Sequence, residues 1–202
     1  MANLRIAVFA SGQGSNFQAI ADAVRDRKLD VEIGLLVCDK PSAPVVERAA
    51  KAGVEAFLFK PKEYASREDY ERVILAELEK RGIGLIVLAG YMRILTPVLV
   101  EPFYGRMINV HPSLLPAFPG VDGIGQALEY GVKVTGVTVH YVDGGLDSGP
   151  IIAQRVVEVE HGDTRDSLSE RIHAVEQALL PYVIGQIARG NVSLDGRNVT
   201  IG

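Results

Sequence analysis

The sequence predicts an α/β fold, a doubly wound and mostly parallel sheet with a mixed or antiparallel C-terminal extension. Short apolar runs alternate with helix-like stretches in the first half, which is typical of a sheet covered by helices on both faces. These runs are Leu4–Ala10, Val31–Val37, Ala56–Phe59, Leu85–Ala89 and Arg106–Val110. In the second half, two longer strand-like runs, Val132–Val142 and Ile151–Val159, flank the glycine-rich loop Asp143–Pro150 and indicate the mixed extension.

Helices are predicted between the strands. The three in the first half lie near Ser15–Arg27, Ala43–Ala52 and Ser66–Arg81. Ser66 with Asp69 resembles a helix-start box, Asp30 lies near the end of the first helix, and Gly53 and Gly82 follow the second and third. Thr164–Arg189 is predicted to be a long closing helix or a helix pair, with Pro181 at a kink or break. An Asp195-Gly196 pair in the tail is typical of a hairpin turn.

The length of 202 residues indicates one α/β domain over residues 1–202, large enough to bury a core without disulfides or a structural metal. The formal charge of −4 argues against nucleic acid as the main partner.

A single cysteine, Cys38, and a start at Met1-Ala2-Asn3 without a leader favour the cytoplasm, and Cys38 is expected to be a buried thiol. No apolar run approaches the roughly 20 residues of a membrane span, so no membrane partner is expected. A homodimer is left open.

A candidate phosphate-binding turn follows the first strand, in the sequence Ser11-Gly12-Gln13-Gly14-Ser15-Asn16. Small residues let backbone amides approach an anion at the start of a helix, and Ser15 or Asn16 is expected to add a hydrogen bond or cap the helix. Phe17 occupies the position of the third glycine of a dinucleotide fingerprint, and no Gly-Lys-Ser/Thr run is present. A monophosphate is therefore the predicted ligand, and a plain strand-to-helix turn is the alternative.

Polar residues at two strand ends suit acyl transfer. Asn109 and His111 are two residues apart, so their side chains project to the same side of an extended segment. An amide and an imidazolium donate hydrogen bonds to an oxyanion, and a carboxylate helps remove a proton from an acylated amine. Asp147 is the favoured carboxylate and Asp143 its competitor. Each of these residues alone is as easily a structural loop residue, so the hypothesis depends on their combination.

Four motifs in this order resemble the phosphoribosylglycinamide formyltransferases, a folate-dependent formyltransferase family, over nearly the whole chain. They are the turn at 11–16, Ala89-Gly90-Tyr91-Met92-Arg93-Ile94-Leu95, Asn109-Val110-His111-Pro112-Ser113-Leu114-Leu115-Pro116 and Leu146-Asp147-Ser148-Gly149-Pro150. The resemblance implies a formyltransferase-like fold with a nucleotide-binding half at about 1–110 and a folate-binding and closing half at 111–202. It also implies transfer of a formyl group from 10-formyltetrahydrofolate to the glycine amine of glycinamide ribonucleotide, in de novo purine synthesis.

The resemblance also assigns site residues. Asn109, His111 and Asp147 are expected to carry catalysis, with 10-formyltetrahydrofolate as cosubstrate and no tightly bound cofactor or metal. The residues expected at the ribonucleotide and its phosphate are Gly14, Ser15, Asn16, Pro112, His173 and Glu176. Those expected at the folate are Arg67, Met92, Arg93, Ile94, Leu95, Asn109, Asp143, Gly144, Gly145, Leu146 and Asp147. Without the resemblance, Glu176 would be taken as an exposed charge. Arg67 is as easily a solvated helix-start residue, and Met92, Ile94 and Leu95 are as easily core residues, a role that can coexist with folate binding.

One departure from the family pattern follows Gly120. Many relatives carry a histidine in that loop, whereas this chain has Val121-Asp122-Gly123-Ile124-Gly125-Gln126. The loop is expected to order differently around substrate. His140, on an alternating strand, and His161, in a polar turn, are expected to have structural or solvated roles.

Other functions are weighed against formyl transfer. A related folate formyl-group enzyme, acting on methionyl-tRNA or hydrolysing formyltetrahydrofolate, is disfavoured because no additional domain fits in the chain. A serine hydrolase lacks its Gly-x-Ser-x-Gly turn, and Ser113 lies too close in sequence to His111 to indicate a triad. A metal hydrolase lacks a paired ligand motif. A noncatalytic nucleotide-binding module is the remaining alternative.

Overall fold

A computed structural model describes residues 3–202. The strands are β1 (Leu4–Phe9), β2 (Val31–Cys38), β3 (Ala56–Leu58), β4 (Leu85–Leu88), β5 (Met107–His111), β6 (Val134–Tyr141), β7 (Ile151–Glu158), β8 (Val192–Asp195) and β9 (Asn198–Ile201). The α-helices are α1 (Ser15–Arg25), α2 (Pro44–Lys51), α3 (Arg67–Lys80), α4 (Pro97–Val100), α5 (Gly123–Tyr130) and α6 (Arg165–Ala188), and a 3-10 turn spans Pro61–Glu63. Seven strands form a sheet in the order β3-β2-β1-β4-β5-β6-β7, and β8 and β9 form a separate hairpin.

Two compact units divide the chain, one ending at Ile108 and the other comprising Asn109–Gly202. In the first unit, β1 pairs in parallel with β2 and β4, and β2 pairs in parallel with β3. All four residues of β4 are buried, as the run of aliphatic residues predicts for a strand covered on both faces. Helix α1 packs on α2, and α3 packs on α4. The predicted α/β class with a mostly parallel sheet is confirmed.

In the second unit, β6 pairs antiparallel with β7, which confirms the mixed extension. Helix α6 packs on both strands. It continues through Pro181 as a single helix of 24 residues, so the alternative of a helix pair is wrong. The buried side chains of Leu179, Leu180, Val183 and Ile184 surround the proline. Their burial offsets the roughly 3 kcal/mol that a proline costs within a helix.

Some local expectations need correction. The hairpin turn consists of Gly196 and Arg197, one residue later than predicted, because Asp195 pairs with Asn198. The segment after Gly120, expected to be a loop, becomes helical at Gly123, where α5 begins. Asp122 precedes it as the cap, and its carboxylate accepts a hydrogen bond from the Gly125 N–H at 3.0 Å. Short polar cap residues explain why a glycine-rich segment continues as a helix.

Cys38 is buried at the end of β2, as predicted. None of the helices within residues 3–202 is long and apolar enough to cross a membrane. Met1 and Ala2, on which the expectation of a chain without a leader partly depends, lie outside the described residues. The single domain predicted for 1–202, with its two halves, stays a prediction.

Candidate active site

The turn between β1 and α1 is built around Gly14. Its φ of 74° lies in the left-handed region, and a Cβ there would lie 2.5 Å from Cγ2 of Val45. The Val45 N–H donates to the carbonyl of Gly12 at 3.2 Å. Both backbone conformation and packing therefore require glycine at this position. Gly14 is itself the N-cap of α1.

The predicted side-chain cap is wrong, because Ser15 and Asn16 are the first two residues of α1 and no side chain caps the helix. The first turn of α1 contains no acidic residue, which leaves its positive end uncompensated and suits an anion. Arg48 on α2 was missed by sequence reasoning. Its Nε donates to the carbonyl of Gln13 at 2.8 Å, and its Nη1 donates to Oε1 of Gln18 at 3.2 Å.

The segment after β4 exposes apolar side chains. Met92 is 68% exposed and Ile94 is 65% exposed, so their interpretation as core residues is wrong. Leu95 is half-buried. Exposed apolar groups on a short segment suit contact with a flat apolar ligand. Arg67, the first residue of α3, is also exposed.

The Arg93 side chain is already paired. Its Nε donates to Oδ2 of Asp39 at 2.8 Å, and the Asp39 side chain is 1% exposed. A ligand at this segment would therefore meet a guanidinium that is held in place by a buried carboxylate.

In the second unit, Asn109 and His111 lie together on β5, as their spacing predicted. Asp147 approaches both. The Asn109 Nδ2 donates to Asp147 Oδ1 at 3.4 Å, and the His111 Nδ1 is 3.5 Å from Asp147 Oδ2. The structure thus brings together the three predicted catalytic side chains, all from residues 109–202.

Asp147 is held in a left-handed conformation, with φ of 48°. Such conformations cost free energy in residues other than glycine and are concentrated at functional sites. Its Oδ2 accepts a hydrogen bond from the Gly120 N–H at 2.7 Å. Burial by itself raises the pKa of Asp147, but hydrogen bonding by His140 and Gly120 and the nearby His111 leave that pKa below its ordinary value. The side chain is thus an ionised carboxylate at neutral pH.

The competing carboxylate, Asp143, has a different role. Its Oδ1 accepts hydrogen bonds from the Gly145 N–H at 2.9 Å and from the Ser148 hydroxyl at 2.7 Å. These bonds shape the loop that carries Asp147. Gly149 closes the loop, because a Cβ there would lie 1.8 Å from the carbonyl oxygen of Tyr141.

Gly144, Gly145 and Leu146 at the tip of this loop are exposed. The loop therefore presents main chain and one apolar side chain to solvent beside Asp147.

His140 belongs to the same cluster, although the sequence predicted a structural or solvated role for it. It is 2% exposed. Its Nδ1–H donates to the carbonyl of Tyr141 at 2.8 Å, and its Nε2 lies 3.2 Å from Asn109 Nδ2 and 3.7 Å from Asp147 Oδ1. Nε2 of His140 therefore faces both the Asn109 amide and the Asp147 carboxylate, and the bond from Nδ1 to Tyr141 fixes the orientation of the ring. The alternation of side chains along β6 places His140 on one face of the strand. No feature of the local sequence indicated that this face is the one near Asp147.

His111 is 4% exposed and has an acceptor at each ring nitrogen. Its Nε2–H donates to the carbonyl of Phe118 at 2.8 Å, while Nδ1 faces Asp147. Two acceptors match a doubly protonated imidazolium, which donates from both nitrogens. Donation to a substrate oxygen requires that one N–H exchange its present acceptor. Phe118 has a φ of 52°, so this acceptor belongs to strained backbone.

Ser113, considered as a nucleophile, serves the loop instead. It is fully buried, and its hydroxyl donates to the carbonyl of Ala117 at 2.6 Å. The loop is also held by Thr138, whose hydroxyl donates to the carbonyl of Ser113 at 2.7 Å. The bond from Leu115 to Pro116 is cis. A serine triad with His111 has no support from these contacts.

The other predicted residues differ in exposure. On α6, Glu176 is 6% exposed, so its interpretation as a solvated charge is wrong, whereas His173 is exposed. Pro112 is half-buried. His161 is exposed, as expected, and lines a cavity of about 310 Å³ with Lys133, Glu160 and Asp163. That cavity contains none of the predicted catalytic side chains.

The arrangement in the second unit suits transfer of an acyl group to an amine. It offers an amide N–H₂ and an imidazole N–H as donors to a developing oxyanion and an ionised carboxylate for the proton. A covalent nucleophile is not needed. The first unit separately offers an anion-binding turn and an exposed apolar segment.

Comparisons with known proteins agree on one family. A model of the formyl transferase family matches residues 4–184. The phosphoribosylglycinamide formyltransferase of Bacillus subtilis is 49% identical, and the match covers 91% of this chain and 94% of that protein. The crystal structure of glycinamide ribonucleotide transformylase 1 from Geobacillus kaustophilus is 54% identical with a TM-score of 0.91, covering 93% of this chain and 100% of that one. The corresponding structure from Symbiobacterium toebii is 43% identical with a TM-score of 0.96, covering 98% and 94%.

Proposed function

Because this chain belongs to the formyl transferase family, we propose that it transfers the formyl group of 10-formyltetrahydrofolate to the glycine amine of glycinamide ribonucleotide. The products are formylglycinamide ribonucleotide and tetrahydrofolate, a step of de novo purine synthesis. The names and close similarity of the relatives support formyl transfer to this ribonucleotide, and the folate donor is what the family resemblance implies. We further propose that the enzyme acts in the cytoplasm, as its lone cysteine favours.

One observation carries the proposal at the level of chemistry. Asn109, His111 and His140 converge on the single ionised carboxylate of Asp147. Direct acyl transfer needs a stabilised oxyanion and a proton acceptor for the attacking amine, and this cluster contains both.

In the proposed reaction, the substrate amine attacks the formyl carbon and forms a C–N bond while the carbonyl electron pair moves onto oxygen. Asn109 Nδ2 and protonated His111 donate to that oxygen. Asp147 stabilises the imidazolium and helps transfer the ammonium proton, through water, to N10 of the folate. The C–N10 bond then breaks as the carbonyl re-forms, and tetrahydrofolate leaves.

The remaining residues bind the substrates in this proposal. Gly14, Ser15 and Asn16 hold the phosphate with main-chain N–H groups at the start of α1, which contains no opposing charge in its first turn. Pro112, His173 and Glu176 contact the glycinamide and ribose. The buried position of Glu176 supports a role beyond solvation.

The folate would lie against two groups of residues. One is the exposed apolar segment Met92–Leu95 with Arg67, and the other is the main chain of Asp143–Asp147. Both present apolar side chains or backbone hydrogen-bonding groups to solvent, which fits a flat heterocycle with a polar edge.

A two-substrate assay tests the proposal. Purified protein is given 10-formyltetrahydrofolate labelled in the formyl group, with and without glycinamide ribonucleotide. We expect label in the ribonucleotide and formation of tetrahydrofolate only when both substrates are present. Free labelled formate without the ribonucleotide would identify a hydrolase, and ribonucleotide binding without turnover would identify a noncatalytic module; either result refutes the proposal.

A further inference from the structure

The segment Tyr91–Thr96 has no regular secondary structure, yet it carries the two exposed apolar side chains of the proposed folate site. A flexible segment would lose conformational entropy on binding a ligand, which weakens the affinity. The contacts that fix its main chain therefore influence folate affinity directly. Two buried carboxylates make those contacts, one at each end.

The first carboxylate is Asp39, at the end of β2. It is 4% exposed, and Ser11 beside it is 2% exposed. The Ser11 hydroxyl donates to Asp39 Oδ1 at 2.6 Å and accepts from the Met92 N–H at 3.0 Å. The other oxygen, Oδ2, accepts from Arg93 Nε at 2.8 Å. Asp39 thus holds the main chain of Met92 through Ser11 and the side chain of Arg93 directly.

The second carboxylate is Glu71, on α3, which is fully buried. It accepts the Thr96 N–H at 3.0 Å and 3.1 Å with its two oxygens, and the Thr96 hydroxyl at 2.5 Å. Thr96 in turn caps α4, because its hydroxyl oxygen accepts from the Val98 N–H at 3.3 Å. Glu71 thus fixes the end of the segment just after Leu95.

Burial of a carboxylate costs several kcal/mol unless hydrogen bonds compensate, and an apolar contact of similar volume often stabilises a fold equally well. Directional hydrogen bonds to main-chain N–H groups, in contrast, fix the position of the backbone. Glu71 accepts such a bond from the Thr96 N–H directly, and Asp39 orients the Ser11 hydroxyl that accepts one from the Met92 N–H. Stabilisation of the fold alone therefore does not account for the positions of Asp39 and Glu71. Positioning of the segment Tyr91–Thr96 accounts for them better.

We propose that Asp39 and Glu71 are positioning residues that hold Met92–Leu95 in the conformation that binds the folate. The inference rests on the proposed function for the identity of that ligand. Neither carboxylate touches the reacting atoms, and neither supports the ribonucleotide site except through Ser11, which begins the turn that leads to Gly14.

The test uses Asp39→Asn and Glu71→Gln, with Asp30→Asn and Glu79→Gln as exposed matched controls. Binding of 10-formyltetrahydrofolate alone and of glycinamide ribonucleotide alone is measured by titration calorimetry, together with kcat and both KM values. We expect a folate Kd and KM raised about tenfold to a hundredfold in the two variants, as for loss of a charge-assisted hydrogen bond. The ribonucleotide Kd stays within about threefold of wild type for Glu71→Gln, and the controls match wild type.

A purely structural role would change the two affinities equally, or would lower stability and leave both affinities unchanged in the folded fraction. Either result overturns the proposal. If a carboxylate variant does not fold, Thr96→Ser and Thr96→Val test the proposal instead, because Thr96 is the hydrogen-bond partner of Glu71. Serine keeps the hydroxyl and should restore folate affinity, whereas valine should weaken it; equal affinities refute the proposal.

Failure of the proposed function gives a different result from failure of the positioning proposal. In that case the wild-type protein transfers no label to the ribonucleotide, regardless of the variants. Failure of the positioning proposal leaves an active wild type whose folate affinity does not respond to Asp39→Asn or Glu71→Gln.

Discussion

Replacement of Asp147 by asparagine tests the chemistry of the site with minimal change of shape. The carboxylate accepts from the Gly120 N–H at 2.7 Å and from Asn109 Nδ2 at 3.4 Å, and lies 3.5 Å from His111 Nδ1. Asparagine supplies one acceptor oxygen, so its N–H₂ must face one of these donors. The variant therefore loses the negative charge and misaligns one donor, although its volume is unchanged.

The magnitude follows from the role of the carboxylate. Proton transfer by a positioned side chain contributes about 10²–10⁴-fold to rate. Asp147→Asn should therefore lower kcat by about that factor, equivalent to about 3–5 kcal/mol of transition-state stabilisation. KM for glycinamide ribonucleotide should change little, because the carboxylate acts on the reacting centre and not on the phosphate.

The assay is the formation of tetrahydrofolate under saturating substrates, with Asp143→Asn as the matched control. Asp143 lies in the same loop, but its carboxylate accepts only from Gly145 and Ser148 among the hydrogen bonds of residues 3–202. Its asparagine variant keeps one acceptor and should lose less than about tenfold in kcat. Equal losses in the two variants, or a larger loss in Asp143→Asn, would refute the assignment of Asp147.

Stability provides a second readout for Asp147. Its pKa is depressed in the folded state despite burial, because hydrogen bonding and nearby histidines outweigh the burial. Such a group stabilises the fold above its ordinary pKa of 3.8, and that contribution disappears as pH falls through the depressed value. As the pH is lowered below about 4, the free energy of unfolding should therefore fall less in the asparagine variant than in wild type. Urea unfolding at a series of pH values measures this difference.

Three further predictions concern other parts of the molecule. Gly14→Ala should destabilise the fold by about 2–5 kcal/mol, since alanine is strained at a positive φ and its Cβ would clash with Val45, whereas Gly12→Ala has open space and should stay near wild type in thermal unfolding. Gly123→Ala would place a Cβ 3.2 Å from the carbonyl oxygen of Pro112 and 3.3 Å from that of Phe118, the acceptor of His111 Nε2–H, so this backbone must shift and kcat should fall about tenfold; an unchanged kcat would contradict the prediction. Burial raises the pKa of Glu71 against the opposing hydrogen bonds of Thr96, so its stabilisation is complete below its ordinary pKa of 4.5 and is lost as pH rises through the raised value. Glu71→Gln should flatten the pH dependence of urea unfolding in that range, and a slope identical to wild type would refute it.

Much of the architecture could be predicted because it depends on local patterns. Continuous aliphatic runs identified the buried parallel strands, and the spacing of Asn109 and His111 placed both side chains on one side of β5. Pro181 misled because helix continuity there is decided by tertiary packing of the surrounding leucine, valine and isoleucine side chains, which local sequence does not encode. The start of α5 was missed because Gly123 and Gly125 have low helix propensity.

The candidate site was predictable only in part. A family resemblance named Asn109, His111 and Asp147, but among the buried polar residues His140 was assigned a structural or solvated role, and Asp39 and Glu71 were not recognised. Each is positioned by a contact with a residue at least 25 positions away, such as Glu71 with Thr96. A buried polar side chain is recognisable from sequence only when its partner is close along the chain, because burial and pairing are otherwise properties of the folded structure.

Buried carboxylates are the informative residues of this chain for a related physical reason. A carboxylate on the surface is compatible with almost any function, since water satisfies it at no structural cost. When buried, it needs donors in fixed directions, and those donors are then held in turn. In this chain the donors around Asp147 are catalytic candidates, whereas those around Asp39 and Glu71 belong to the exposed segment of the proposed folate site. The chemistry of the donors, more than the acidity of the carboxylate, therefore distinguishes a catalytic role from a positioning role.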